Sequence, residues 1–127
     1  MVVNYLKTVQ DTAYNTAFLA AFNGDPLGAG TEVAGAGYER VAMTGKMNAA
    51  TDGSGGDAGY AVKTNSAALQ FPVATSGAYG TVTHLAVYTA STAGTLIDVV
   101  DVTDTPIVTS DILMVATGQL KFRARPV

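Results

Sequence analysis

The chain has 127 residues and a formal net charge of −3, and only 13% of its residues are charged, about half of the ~25% usual for soluble domains. This length suits a single domain over residues 1–127, the acidic balance argues against nucleic acid as a partner, and the absence of cysteine excludes disulfides and thiolate metal sites. So few charges in a chain that is 48% hydrophobic indicate a subunit of a permanent oligomer or lattice.

The N-terminal arm has the only helical period in the chain. Its apolar residues recur at intervals of four, three and four, at Val2, Leu6, Val9 and Ala13. This stripe predicts a short helix over residues 1–14, with Asn4 and Lys7 facing away from the stripe. The arm lacks the basic start and apolar run of a signal peptide, and no segment reaches the ~18 apolar residues of a membrane span. We therefore expect synthesis and assembly in a cytoplasm, without a membrane partner.

From residue 16 onward the pattern favours β-structure. An apolar run that ends at Phe22 predicts a buried strand, and it is followed by the turn residues Asn23-Gly24-Asp25-Pro26. Glycine and alanine dominate a loop over residues 24–37, and a strand-like segment follows over residues 38–43. A second glycine-rich loop, over residues 48–59, has no apolar anchor and is expected to be mobile.

The second half of the chain contains the clearest strand signals. Residues 68–73 predict a strand that ends at a proline, and residues 81–88 predict the central strand because they are β-branched and aromatic. Residues 95–102 predict a strand with a bulge near Val99, where the apolar phase slips, and the alternation from Leu120 predicts a half-buried final strand. We predict seven to eight short strands, an all-β sandwich or jelly-roll-like barrel over residues 16–127 preceded by the helical arm.

Few residues could support catalysis. The only histidine, His84, lies in the middle of a predicted strand, where packing is the commoner role. Asp52 and Asp57 share the glycine loop, but this loop lacks the ligand spacing of a calcium site, so we favour a solvated turn and leave calcium binding as an open alternative. We predict no enzymatic activity, no cofactor and no resident metal.

Several residues are candidates for interface roles. Lys121, Arg123 and Arg125 alternate, which places three cations on one strand face, suited either to an acidic neighbour or simply to solvent. Tyr5 and Leu6 on the arm and the turn at Asp25 and Pro26 complete the set of predicted contact residues.

In order, these landmarks resemble a family of short tailed-phage virion proteins labelled tail-fibre or head-decoration proteins. After the N-terminal helix, the resemblance is carried by Phe18 to Pro26, Thr31 to Val41, Phe71 to Thr75 and Tyr79 to Tyr88. The chain departs from the family pattern at Tyr79, where a tryptophan is usual, and in a longer glycine insertion around Asp52 to Asp57.

The resemblance implies a virion structural protein made in the host bacterial cytoplasm. We expect a capsid-decorating (cement) subunit on the particle exterior, with a tail-fibre, fibre-adaptor or collar subunit as the alternative. The implied partners are further copies in a homotrimer and the major capsid protein or other virion proteins. A hypothesis of another class is a carbohydrate-binding β-sandwich, which predicts that Tyr60 and Tyr79 are exposed beside Asp52 or Asp57.

Overall fold

The computed structural model describes residues 2–124, with side chains from Leu6 onward. These residues form one α-helix, one short 3-10 helix at Gly55–Asp57 and ten strands. In chain order the elements are α1 (Val2–Tyr14), β1 (Phe18–Asn23), β2 (Thr31–Glu32), β3 (Val41–Ala42), β4 (Thr51–Asp52), β5 (Ala61–Thr64), β6 (Leu69–Gln70), β7 (Gly80–Tyr88), β8 (Leu96–Ile107), β9 (Met114–Val115) and β10 (Lys121–Ala124). No helix among them is long and apolar enough to cross a membrane.

The chain divides into two compact units. The first, which we call the helix unit, takes the residues up to Thr16, Met43–Leu69 and the residues from Val115 onward. The second, the sheet unit, takes Ala17–Ala42 and Gln70–Met114. Strands β6 and β9 pair as a two-stranded sheet.

The sheet unit is built on β1 and β7. Strand β1 pairs antiparallel with β7, from Phe18 opposite Tyr88 to Phe22 opposite His84, and its other side pairs with β2 and β3. The predicted buried run and central strand are both confirmed, because Leu19 to Phe22 of β1 and Val82 and Leu85 to Val87 of β7 are buried. This apolar centre explains why the two strands pair along their length.

Strand β8 pairs with the remaining side of β7 and is longer than predicted. Its register is regular from Asp98 opposite Val87 to Asp101 opposite His84. The irregularities lie on either side of this stretch, at Ile97 and between Asp101 and Thr105, so the bulge predicted near Val99 is found two residues earlier, at Ile97. At Val99 itself the strand remains in register with Ala86, and the two register shifts lie before and after this residue.

The helix unit is a three-stranded sheet in the order β10-β5-β4, with α1 against β4 and β5. The predicted helix is confirmed, but its predicted orientation is wrong. Val9 is 43% exposed, whereas Gln10 and Tyr14 are buried and Lys7 forms an ion pair with Asp52. The side-chain amide of Gln10 donates to Ala61 O at 3.1 Å and the Tyr14 ring stacks on Phe122, so these two residues meet the sheet in place of Val9.

The all-β class with a short N-terminal helix is confirmed. The structure has more strands than predicted because several are two-residue ladders, and residues 38–43 contribute only β3. Residues 48–59 are not a structureless loop, because they contain β4 and the 3-10 helix. The assignment of residues 1–127 to a single domain stays a prediction.

Candidate assembly surfaces

The predicted cationic strip lies on β10, where its first two members meet a carboxylate. The Lys121 ammonium is 2.7 Å from Asp57 Oδ2, and the Arg123 guanidinium is 3.0 Å from Asp57 Oδ1. These two hydrogen bonds, first that from Lys121, hold the pKa of Asp57 below its ordinary value. Both cations remain 47% exposed. Within the chain, one carboxylate therefore serves two cations, and the predicted role of the strip in an interface stays a prediction.

The glycine-rich loop is what brings Asp57 to the strip. A Cβ at Gly53 would overlap the Asp57 carbonyl oxygen, so the loop closes only with glycine there. The Gly53 amide donates to Tyr60 O, and Arg123 lies over the Tyr60 ring at 4.8 Å from its centroid. The loop therefore orders a carboxylate for the strip and leaves no set of oxygen ligands in the spacing of a calcium loop.

A second ion pair lies beneath α1. Lys63 is fully buried, and its ammonium donates to Asp11 Oδ1 at 2.6 Å. The hydrogen bond from Lys63, then that from the Ala50 amide, lowers the pKa of Asp11. Because a buried ammonium without a partner is costly, this pair fixes α1 on the sheet. Sequence reasoning assigned Asp11 and Lys63 no role.

In the sheet unit, Arg40 organises the largest polar network. Its guanidinium forms a two-pronged ion pair with Glu32 and donates to the carbonyls of Ala90 and Ala93, while it lies 4.0 Å from the centroid of the Tyr88 ring. Burial raises the pKa of Glu32, but the hydrogen bonds from Arg40 and then Tyr38 outweigh it and leave that pKa lowered. Arg40 thereby ties the β2–β3 segment to the β7–β8 turn.

An open pocket of about 510 Å³ borders this network. It is lined by Glu32, Val33, Ala34, Tyr38, Glu39, Arg40, Ser91, Thr92 and Ala93. The Tyr38 hydroxyl donates to Glu32 and accepts from the Ala21 amide, and burial raises its pKa. Tyr38, Glu32 and Arg40 thus bind one another. We interpret the pocket as the solvent-facing side of this structural network.

Exposed apolar side chains are concentrated in one part of the sheet unit. Of six large hydrophobic side chains that are exposed among the described residues, four lie at Val73, Val108, Ile112 and Met114. Their two segments run side by side, since the Phe71 amide donates to Leu113 O and the Ala74 amide to Asp111 O. We call these four residues the apolar ribbon. It is the surface most in need of a protein neighbour.

The outer side of β8 is a second surface without a neighbour. The sheet order is β2-β1-β7-β8, so no strand in the described residues pairs with β8 on the side away from β7. Most of its residues are half-buried, including Val99, Val100 and Val102, and Asp101 is 83% exposed in its side chain. A long edge strand with apolar residues is a template for pairing with another chain.

The remaining predicted contact residues are not among those that define these surfaces, or they lie outside the described residues. Leu6 is half-buried on α1, and Asp25 closes the turn after β1 by accepting from the Leu27 amide, with Pro26 half-buried beside it. The side chain of Tyr5 and the whole of Arg125 lie outside the described residues. The interface roles of these residues stay predictions.

The candidate chemical groups form no catalytic arrangement in the part of the chain described. His84 Nδ1 lies 2.7 Å from the Thr83 hydroxyl, and its other nitrogen is 3.8 Å from Asp101, beyond hydrogen-bond distance. No group of three or more potential metal-ligating side chains is found between residues 2 and 124. Tyr79 is buried, which contradicts the exposed position that a sugar-binding site requires of it.

Sequence reasoning missed the apolar ribbon. A signal was present in the alternation of Ile112, Leu113 and Met114, because Leu113 is buried and its two neighbours point outward. The same holds for Val73, which lies next to buried Ala74. A period-two reading of these short segments separates one buried residue from the exposed ones around it.

Comparisons with known proteins bear on what these surfaces serve. Neither a search of curated proteins nor a search of solved structures returned a match. A family model described as "Podophage GP4 fiber I protein gp80" matches residues 1–123, nearly the whole chain. The chain therefore belongs to this Gp80 family of podophage fibre proteins.

Proposed function

We propose that the chain is a structural subunit of a podophage fibre, which acts without catalysis by packing against other copies of itself and neighbouring virion proteins. The family supports the fibre, and the apolar ribbon is the observation that supports the packing. A homotrimer is the assembly that we expect.

The family description bears directly on the choice between our two structural hypotheses. It names a fibre protein, so it agrees with the tail-fibre alternative better than with the capsid-decorating subunit that we expected first. A virion structural protein is common to both hypotheses. We therefore place the subunit in a fibre.

The apolar ribbon gives this proposal its physical basis. Ile112 and Met114 expose about half of their surface, and Val108 slightly more. Burial of apolar surface contributes roughly 25 cal/mol per Å², and this gain must exceed the freedom lost on association. Four such side chains on adjacent segments offer more apolar surface to a neighbour than one isolated residue would.

Met114→Gln tests the ribbon with little change in side-chain size. The wild-type chain is expected to sediment as an oligomer, at about three times its 12.9 kDa mass for a trimer. Met114→Gln should shift the association to at least about tenfold higher concentration, because a polar amide would be buried in the contact. Sedimentation velocity over a dilution series measures both.

Leu27→Gln is the matched control. Leu27 is the most exposed of the six hydrophobic side chains, at 75%, and lies in the turn after β1, outside the ribbon. If the apolar ribbon forms the contact, this variant should associate like the wild type, whereas a shift like that of Met114→Gln would favour the predicted contact at Asp25 and Pro26. A wild-type chain that stays monomeric at every concentration and is missing from purified particles would contradict the proposal.

The carbohydrate-binding hypothesis has weaker support. Only Tyr60 lies near Asp57, and its ring is covered by Arg123. Tyr79 is buried and donates its hydroxyl to Pro72 O. The two tyrosines therefore do not form an exposed aromatic platform for a sugar.

A further inference from the structure

The two units carry opposite charge. The sheet unit contains seven carboxylates and one cation, Arg40, so its formal charge is −6. The described part of the helix unit has five cations and three carboxylates, for +2. All three of these carboxylates are already in ion pairs with Lys7, Lys63, Lys121 or Arg123. Lys63 is buried, but Lys121 and Arg123 are 47% exposed on β10, so this strand of one copy complements the acidic sheet unit of another.

Strand β8 is poorly suited to pairing with its own copy. A two-fold antiparallel pairing centred on Asp101 would place Asp101 opposite itself and Asp98 opposite Asp104. Like charges directly opposite each other across two strands are destabilising. Carboxylates along an edge strand therefore disfavour symmetric association and leave a cationic strand as the suitable partner.

Strand β10 is such a strand, and it is also an edge. The order β10-β5-β4 leaves the other side of β10 without a strand in the part of the chain described. The Asn65 backbone amide donates to Leu120 O, so Leu120 directs its backbone groups toward β5. By alternation, Phe122 and Ala124 do the same. Because alternate residues of an antiparallel strand point to opposite sides, Lys121 and Arg123 direct their backbone groups to the open edge.

The same reasoning identifies the open groups of β8. The Val33 backbone amide donates to Ala21 O, so the backbone N–H and C=O of Ala21 are directed away from β7. Ala21 is opposite Leu85 on β7, whose backbone groups are therefore directed toward β8. Leu85 is opposite Val100, which leaves Val99 and Asp101 with backbone groups directed to the open edge. These two residues lie within the regular four-residue stretch of β8, which equals β10 in length.

We propose that β10 of one copy pairs antiparallel with residues 98–101 of β8 in a second copy, with Lys121 opposite Asp101 and Arg123 opposite Val99. This register sets a cation beside an exposed carboxylate and places Phe122 and Val100 on the same face. Asp98 Oδ1 accepts from the Val99 amide at 2.8 Å, so that carboxylate must turn away on docking. Each copy gives one edge and receives one, and such a contact closes into a ring when its rotation permits three copies.

This inference rests on the proposed fibre subunit, and cysteine cross-linking tests it separately. The chain has no native cysteine, so Asp101→Cys and Lys121→Cys each introduce a single thiol at an exposed position. Opposed residues in an antiparallel pair lie about 5.5 Å apart between Cα atoms, within disulfide range. Mixed under mild oxidation, the two variants should form a disulfide heterodimer, seen by mass spectrometry under non-reducing conditions.

Three controls fix the interpretation. Thr92→Cys, in the exposed β7–β8 turn, should not cross-link to Lys121→Cys above background. Val99→Cys with Arg123→Cys should cross-link by the same register, which guards against a defect specific to Asp101→Cys. Efficient cross-linking of Asp101→Cys to itself would overturn the proposal in favour of symmetric β8 pairing.

The remaining outcomes separate the two proposals. If neither predicted pair exceeds the Thr92→Cys background while the wild type sediments as an oligomer, the β8–β10 pairing is wrong and the self-packing subunit stands. If the wild type sediments as a monomer and is missing from particles, both proposals fail.

Discussion

The helix unit and the sheet unit are stabilised in different ways. In the helix unit, α1 is held by an ion pair to a buried lysine, by the Gln10 amide and by the stacking of Tyr14 on Phe122 at 4.4 Å. The sheet unit instead has an apolar centre on β1 and β7, and keeps its apolar ribbon and most of its carboxylates outside. Polar pairing to a buried lysine thus holds α1 in the helix unit, whereas apolar burial dominates along β1 and β7, so changes at these two places should have different signatures.

The largest loss of stability is expected from truncation of a fully buried aromatic side chain in the sheet unit. Phe71 is fully buried and stacks on Tyr38 at 6.0 Å between ring centroids. Phe71→Ala should lower the free energy of unfolding by about 3–5 kcal/mol, through lost burial and the cavity left behind. Urea denaturation measures this. Leu27→Ala, at an exposed position, is the control and should stay within about 0.5 kcal/mol of wild type.

Breaking the buried ion pair of the helix unit should have the next largest effect. Asp11→Ala removes the partner of the fully buried Lys63 ammonium. Loss of one partner of a buried pair costs about 3–5 kcal/mol, and because the Asp11 side chain is 39% exposed we expect about 2–3 kcal/mol. Hydrogen exchange should increase first in α1 and β5. If Lys63→Met in the same background restored none of the loss, the unpaired charge would not be its cause.

Acid should weaken the helix unit through the same contact. The pKa of Asp11 is lowered from 3.8 in the folded chain, so its stabilising effect is complete above that value and is lost as the pH falls through the folded pKa. Between about pH 5 and about pH 2, the protection of α1 amides, taken relative to the intrinsic exchange rate at each pH, should fall more steeply in wild type than in Asp11→Asn. Parallel pH profiles for the two proteins would exclude Asp11 as the titrating group.

The exposed cationic strip should contribute least to stability. Asp57→Asn removes the shared carboxylate of Lys121 and Arg123, both of which are half exposed. Ion pairs of this kind are screened by solvent, so thermal unfolding should be indistinguishable from that of wild type. A clear decrease in melting temperature would mean that the loop at Gly53 depends on this pair.

The sequence predicted those elements that local residues specify alone. The buried strand β1, the central strand β7 and the helix of the N-terminal arm are such elements, and all three are confirmed. The prediction of which face of α1 is buried was wrong. That face is set by contacts with Lys63 and with a carbonyl of β5, which are distant in sequence and leave no sign in the local hydrophobic pattern. The two-residue strands β2, β3, β4, β6 and β9 could not be predicted from the sequence, because they too depend on contacts between residues distant in the chain.

The candidate surfaces were predictable only in part. The alternation of Lys121 and Arg123 identified an exposed strand face, but Asp57 as their partner depends on the closure of the loop at Gly53. The apolar ribbon combines Val73 with residues 108–114, far apart in sequence, so it emerges only once the two segments are placed side by side.

Labelling of the chain on intact phage particles with an antibody fragment, viewed by electron microscopy, tests the central claim most directly. A fibre subunit that packs against its own copies should carry label in clusters along the fibres, in small multiples of three per fibre as expected for trimers. Label spread evenly over the faces of the capsid shell would contradict the account and return the chain to the role of a decoration protein.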